Sequence, residues 1–420
     1  MGETVGQQLP EPALSFTLPS LHDGTVLDCR VYHPASLAAA NPRAPPWERH
    51  AAVVAHPYAP MGGCYDDPIL DSVAATLLRT GYLVGTFNFR GARHSAGRTS
   101  WTARPERDDY ASVVGLVVHY VHFLDPFAGP EAAEAARDVV DEASPRAPPT
   151  NAPPAPVLLM GGYSYGAMIT AQIPPLDQLL EPFARPAGGS HAAQIRLRAQ
   201  HLAERQNPGQ VRVRVGGEEG DARPRKSHDS SSFGPRSSSL DADDRFPRGA
   251  RELLVARRRD KHPRPRASTS PTGDAQTAAE AGEQEELPVI AGLVRPRPAY
   301  LLVSPLQGLV THLATMSLLP SRTRRLRHAA AAADDDDAAA LAAEDKLILN
   351  STLAVFGDKD GLVPVGRLRA WTARLGGRPG SQFAGREVAT AGHFWGQAGV
   401  LLLMTESIAA FAGRLVREAT

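Results

Sequence analysis

Val157-Leu158-Leu159-Met160-Gly161-Gly162-Tyr163-Ser164-Tyr165-Gly166 runs from a short apolar stretch straight into a G-x-S-x-G motif. Four consecutive apolar residues, bounded by Pro156 and two glycines, suit a strand buried on both faces. A helical pattern opens after Gly166, so Ser164 falls at a strand-to-helix turn, where a serine hydroxyl is held exposed above the end of a sheet. Gly162 and Gly166 permit such a turn because a side chain at either would collide as the backbone bends. The competing reading is a glycine-rich loop whose serine merely caps a helix.

Working outward, the first half alternates strands and helices. Ala13–Leu18 and Thr25–Tyr32 alternate as two strands joined around the turn signal His22-Asp23-Gly24, and Ala51–Ala55 is a continuously apolar strand. Ile69–Thr80 has helical spacing and stops at Gly81, Tyr82–Phe87 is a strand, and Asp108–Phe123 is a helix. After the motif, Ala299–Val303, Leu353–Phe356 and Arg386–Ala389 read as strands and Ser407–Arg417 as a closing helix. This alternation predicts a mostly parallel central sheet flanked by helices.

The pattern breaks twice. Residues 186–290 carry Ser230–Ser232, Ser237–Ser239, Arg257–Arg259 and many prolines, a composition that predicts a disordered insertion, with one helical island at His191–Gln206. A second low-complexity insertion is expected at 321–346, around an alanine run and Asp334–Asp337. The segments 1–185 and 291–420 are then two parts of one domain.

The bulk composition excludes more than it selects. Lys+Arg and Asp+Glu balance at 45 each, so no global field favours nucleic acid or an anionic surface. Two cysteines in 420 residues are too few for a disulfide framework and suit a reducing compartment. Met1–Pro12 has no apolar run of the signal-peptide kind, and Ala398–Met404 is too short to span a bilayer. The expectation is a cytoplasmic protein without stable membrane insertion.

A serine hydroxyl needs a base to remove its proton. At an elbow of this kind the triad runs Ser, acid, His along the chain. After Asp360 there is one histidine, His393, in Ala391-Gly392-His393-Phe394-Trp395-Gly396. The acid must orient it, and Asp358 and Asp360 both qualify chemically at the end of the strand Leu353–Phe356. Asp360 is preferred because the segment Gly361–Pro364 would fix its direction. For the oxyanion, one backbone N–H comes from the residue after the nucleophile, Tyr165. The second comes from the loop His56–Gly63, where Pro57 has no N–H and Tyr58 follows. His56 is read as structural, and Arg90 as paired with a carboxylate such as Glu106 or Asp109.

The H-P-x-x-x-x-G-G loop at His56–Gly63, the N-F-R-G segment at Asn88–Gly91, the elbow at Gly162–Gly166 and the G-H-F motif at Gly392–Phe394 together resemble the α/β-hydrolase superfamily, within it a group of small predicted serine hydrolases. The resemblance covers about residues 13–180, 295–320 and 350–418. It implies an α/β-hydrolase fold and the triad Ser164, Asp360, His393, and says little about substrate. The chain departs from the pattern at Ala92–Arg98 and at Pro174-Pro175, which meet the elbow helix early.

The leading functional expectation is hydrolysis of a small-molecule ester, or a thioester or amide, through an acyl-serine intermediate. The other is a fold of this kind kept as a binding or scaffolding module, with a protein partner engaged through the insertion. Leu309, His312, Leu313 and Met316, on an apolar stretch between elbow and acid, are expected to line an acyl pocket. No cofactor is expected, since no metal-ligand spacing or dinucleotide fingerprint is seen.

Overall fold

The computed structural model describes residues 9–37, 47–125, 155–207, 285–306 and 343–419. Eight strands form one sheet: β1 Leu14–Pro19, β2 Val26–Tyr32, β3 Ala51–Ala55, β4 Leu83–Phe87, β5 Val157–Tyr163, β6 Arg297–Val303, β7 Thr352–Gly357 and β8 Phe383–Val388. Their order is β1-β2-β4-β3-β5-β6-β7-β8. β2 runs antiparallel to both neighbours, and from β4 to β8 every pairing is parallel.

The first two strands form the expected hairpin. Its turn closes by Ser20 N–H to the Thr25 carbonyl at 2.8 Å, with Gly24 at φ 74°. Every residue of β3, β4, β5 and β7 is buried, as continuously apolar runs require between two helical layers.

Among the described residues the sheet is covered by α1 Pro68–Arg79, α2 Arg104–Phe123, α3 Tyr165–Gln172, α4 Leu176–Ala184, α5 His191–Glu204, α6 Val365–Gly376 and α7 Val400–Glu418. A helical stretch at 343–349 precedes β7. One core layer holds the apolar faces of α2 to α6, and the other packs α1 and α7 beneath the sheet. α1 starts where the side chain of Asp67 accepts from the N–H groups of Ile69 and Leu70, with Pro68 in the first turn. None of the helices in the described residues is long and apolar enough to cross a membrane.

The helix expected from Asp108 begins a turn earlier, because Glu106 is buried and accepts from the backbone and hydroxyl of Ser100, both at 2.5 Å. Its first turn is polar and leaves no apolar periodicity to read. α3 is short because Pro174 lacks the N–H that would continue it. Described structure continues past the expected boundary at Pro186. Ile195, Ala199 and Leu202 of α5 are buried, and Ser190 caps that helix through the Ala193 N–H. Pro186–Gly188 also pairs with Glu285–Leu287. The rest of the expected insertion, 208–284, lies outside the described residues. Of the second expected insertion, 343–346 belong to a helical stretch with Leu347 and Ile348 buried, and 321–342 lie outside the described residues.

An eight-stranded, mostly parallel sheet with an antiparallel second strand, helices on both faces and a serine elbow after β5 is the α/β-hydrolase fold.

Candidate active site

The site forms where β5, β7 and β8 present their carboxyl ends. Ser164 follows β5 directly, at φ 56° and ψ −111°, a conformation a non-glycine residue adopts only under constraint. Its backbone N–H donates to the Val303 carbonyl at 2.8 Å, which extends the β5–β6 ladder through the turn. The glycines have steric reasons. A Cβ on Gly162 would lie 2.3 Å from the carbonyl carbon of Gly166, and one on Gly166 would lie 2.2 Å from the Ala55 carbonyl oxygen.

His393 Nε2 is 2.8 Å from Ser164 Oγ, and His393 Nδ1 is 2.7 Å from Asp360 Oδ2. With Asp360 ionised, Nδ1–H donates to the carboxylate and Nε2 is left to accept the serine proton. Ser164, His393 and Asp360 are 6%, 3% and 9% exposed, so these bonds lie in a low-dielectric setting. Asp360 Oδ1 also accepts from the N–H groups of Leu362 and Val363, at 2.8 and 2.9 Å. Burial alone would raise this carboxyl's pKa, but the bond and charge of His393 and the two N–H donors outweigh it and hold it below its ordinary value.

The structure brings Asp360, and not Asp358, to the histidine. Asp358 continues the β7–β8 ladder through its N–H to Val388, and its Oδ1 is buried with no hydrogen-bond partner among the described residues. The two carboxylates differ in the direction the turn gives them.

Tyr165 occupies the first position of α3, where a backbone N–H has no intrahelical acceptor. Neither its N–H nor that of Tyr58 donates a hydrogen bond among the described residues. The Tyr58 carbonyl takes the N–H groups of Met61 and Gly63, forming a tight turn, and the Tyr58 and Tyr165 rings stand 5.1 Å apart. His56 is fully buried, donating from Nδ1 to the Pro57 carbonyl and accepting at Nε2 from the Phe89 N–H. Both ring nitrogens are therefore spent on holding the loop, and burial pulls its pKa down to about 4. Arg90 pairs with Asp109 through two parallel bonds of 2.9 and 2.7 Å, and also reaches Asp23. Glu106, the other partner considered, bonds Ser100 instead.

Leu309, His312, Leu313 and Met316 lie outside the described residues. Cys29 and Cys64 are both free and buried. Among the described residues no cluster of three or more His, Cys, Asp or Glu is arranged to hold a metal ion. Two ties around the histidine had no sequence signal: Tyr163 Oη to the His393 carbonyl at 3.0 Å, and Trp395 Nε1 to Ser304 Oγ at 3.1 Å.

No protein-family model matches the chain, and no curated protein matches it in sequence. Among solved structures it is similar to an alpha-beta serine hydrolase homologue from Coxiella burnetii, at 12% identity and TM-score 0.41, over 96% of this chain and 99% of that one. It is also similar to XC6422 from Xanthomonas campestris, described as an a/b serine hydrolase without lid, at 13% identity and TM-score 0.41, over 97% and 96% of the two chains. A third is Est1E from Butyrivibrio proteoclasticus with ferulic acid bound, at 11% identity and TM-score 0.40, over 96% and 99%.

Proposed function

We propose that the chain is a serine hydrolase that cleaves an ester of a small molecule through an acyl-serine intermediate. The observation that carries this reading is the continuous chain of hydrogen bonds from Ser164 Oγ through His393 to Asp360, built on a strained elbow.

In the first step His393 Nε2 takes the Ser164 proton as Oγ bonds to the ester carbonyl carbon. The carbonyl oxygen becomes an oxyanion, and the uncommitted N–H groups of Tyr58 and Tyr165 are its proposed donors. His393 then gives the proton to the departing alkoxide, the C–O bond breaks, and the acyl group stays on Ser164. Water repeats the sequence with His393 as base, releasing a carboxylic acid. Asp360 stays ionised throughout, orienting the ring and stabilising the imidazolium. Thioesters and amides fit the same steps, and an ester demands least of the general acid because alkoxides leave more readily than amines.

The acyl side is assigned by proposal to Leu309, His312, Leu313 and Met316. The support is chain order: β6 ends at Val303, whose carbonyl holds the Ser164 N–H, so the segment that follows sets out from beside the nucleophile.

A fluorophosphonate probe tests the reading. It should label the wild-type protein at Ser164, and Ser164→Ala should abolish both labelling and hydrolysis of small activated esters while leaving the circular dichroism unchanged. Absence of labelling in the wild type would reject the enzyme reading and return the fold to a binding role.

A further inference from the structure

Ser164 is flanked by two tyrosines, the last residue of β5 and the first of α3, and the sharp turn at Ser164 between strand and helix sends them to opposite layers. Tyr165 goes to the layer of α2 and α3, where its ring meets Tyr58. Tyr163 goes to the layer of α1 and α7, among Val388, Ala391 and Trp395, the residues around the histidine loop. It is 2% exposed, its ring centroid lies 5.8 Å from that of His393, and its hydroxyl donates to the His393 carbonyl at 3.0 Å. That carbonyl has no other donor among the described residues.

The loop that carries His393 needs such a tether. Thr390 and Trp395 on either side of it have φ of 64° and 53°, so no regular ladder fixes its course. Ser–His proton transfer is sensitive to small displacements, and about 1 Å of misplacement can cost about 100-fold in rate. Burial raises the Tyr163 phenol pKa, so the group stays protonated and is a permanent donor.

We infer that Tyr163 is a positioning residue: covalently next to the nucleophile, it holds the backbone of the base and thereby sets the distance from His393 Nε2 to Ser164 Oγ. This rests on the reading of Ser164 and His393 as nucleophile and base. It gives the first variable position of the G-x-S-x-G motif a mechanical task in this chain, one that phenylalanine, of nearly equal volume, could not perform.

The test is Tyr163→Phe beside Tyr82→Phe. Tyr82 is an equally buried tyrosine whose hydroxyl donates to a backbone carbonyl, that of Ala412, at 3.1 Å, but it immediately precedes β4, at the opposite end of the sheet from Ser164. Both variants lose the same kind of bond and should lose similar thermal stability. Tyr163→Phe should lower kcat on an activated ester about 10- to 100-fold with KM within about twofold, and slow fluorophosphonate labelling in parallel. Its pH–rate inflection should stay in place, since the base is displaced and not replaced. Tyr82→Phe should keep the wild-type kcat. Equal kcat in the two variants would overturn the assignment, as would a Tyr163→Phe loss confined to KM. Lack of Ser164 labelling in the wild type would instead reject the hydrolase reading on which the inference rests.

Discussion

His393 Nε2 lies 2.8 Å from Ser164 Oγ across a sequence separation of 229 residues. The contact exists because β5 and β8 end on the same edge of one parallel sheet, with β6 and β7 between them. A sheet that shifted either strand by one residue would turn its side chains to the other face and separate the pair.

Asp360→Asn should lower kcat by about three to four orders of magnitude, because an amide cannot hold the ring in the Nδ1–H tautomer or stabilise the imidazolium. Asp358→Asn should leave kcat within a few-fold, since its carboxylate does not touch His393. Steady-state kinetics on one activated ester ranks the two, and the reverse order would exclude Asp360 as the acid.

Stability should fall with acidification through a defined window. Burial pulls His33, His56 and His119 down to about 4. In the unfolded chain each titrates near 6.5, so between about 6.5 and 4 the unfolded state holds protons that the folded state does not. Stability is therefore fully present above that window and lost as pH falls through it, by up to about 1.4 kcal/mol per pH unit for each histidine. Urea midpoints at pH 7.5 and 5.0 measure this, and His119→Gln should reduce the slope by one histidine's share. Identical midpoints would contradict it.

Gly162→Ala and Gly166→Ala should each destabilise by about 2–3 kcal/mol or more, because the atoms their Cβ would strike are backbone and cannot step aside. Gly366→Ala is the contrast: nothing lies within 4 Å of its Cβ on α6, and it should be neutral or stabilising by about 0.5 kcal/mol. Chemical denaturation of the three variants gives the comparison. A neutral Gly166→Ala would mean that α3 does not abut the end of β3 as described.

Lys346 is buried and donates to the carbonyls of Thr170 and Ile173 at the end of α3. Lys346→Met keeps most of the stem but leaves those carbonyls without their donor, which should cost about 1–3 kcal/mol. Because α3 carries the elbow at its other end, hydrogen exchange at Met168 to Thr170 should quicken in the variant. Unchanged exchange there would show that the helix does not depend on this cap.

What could be read from the chain was whatever neighbouring residues encode. Continuous apolar runs such as Ala51–Ala55, the turn at Asp23-Gly24 and the glycines around Ser164 reflect local sterics and burial on both faces, and these formed where the pattern placed them, whereas β8 begins three residues before the expected Arg386 and the closing helix seven residues before Ser407. α5 was likewise legible as an island of helical spacing. α6 is hard to read from the chain, although Leu368, Trp371 and Leu375 have helical spacing and are buried, because charged and small residues between them mask the stripe. Asp358 and Asp360 are chemically identical and two positions apart; the sequence favours Asp360 through the Gly361–Pro364 segment, and it is the path of the turn after β7 that lays its carboxylate against His393. The ties from Tyr163 to His393 and from Trp395 to Ser304 are of the same kind. They join residues from different strands and loops, and a hydrogen bond between distant segments leaves no periodicity in either. Its existence is decided by where the sheet sets their backbones.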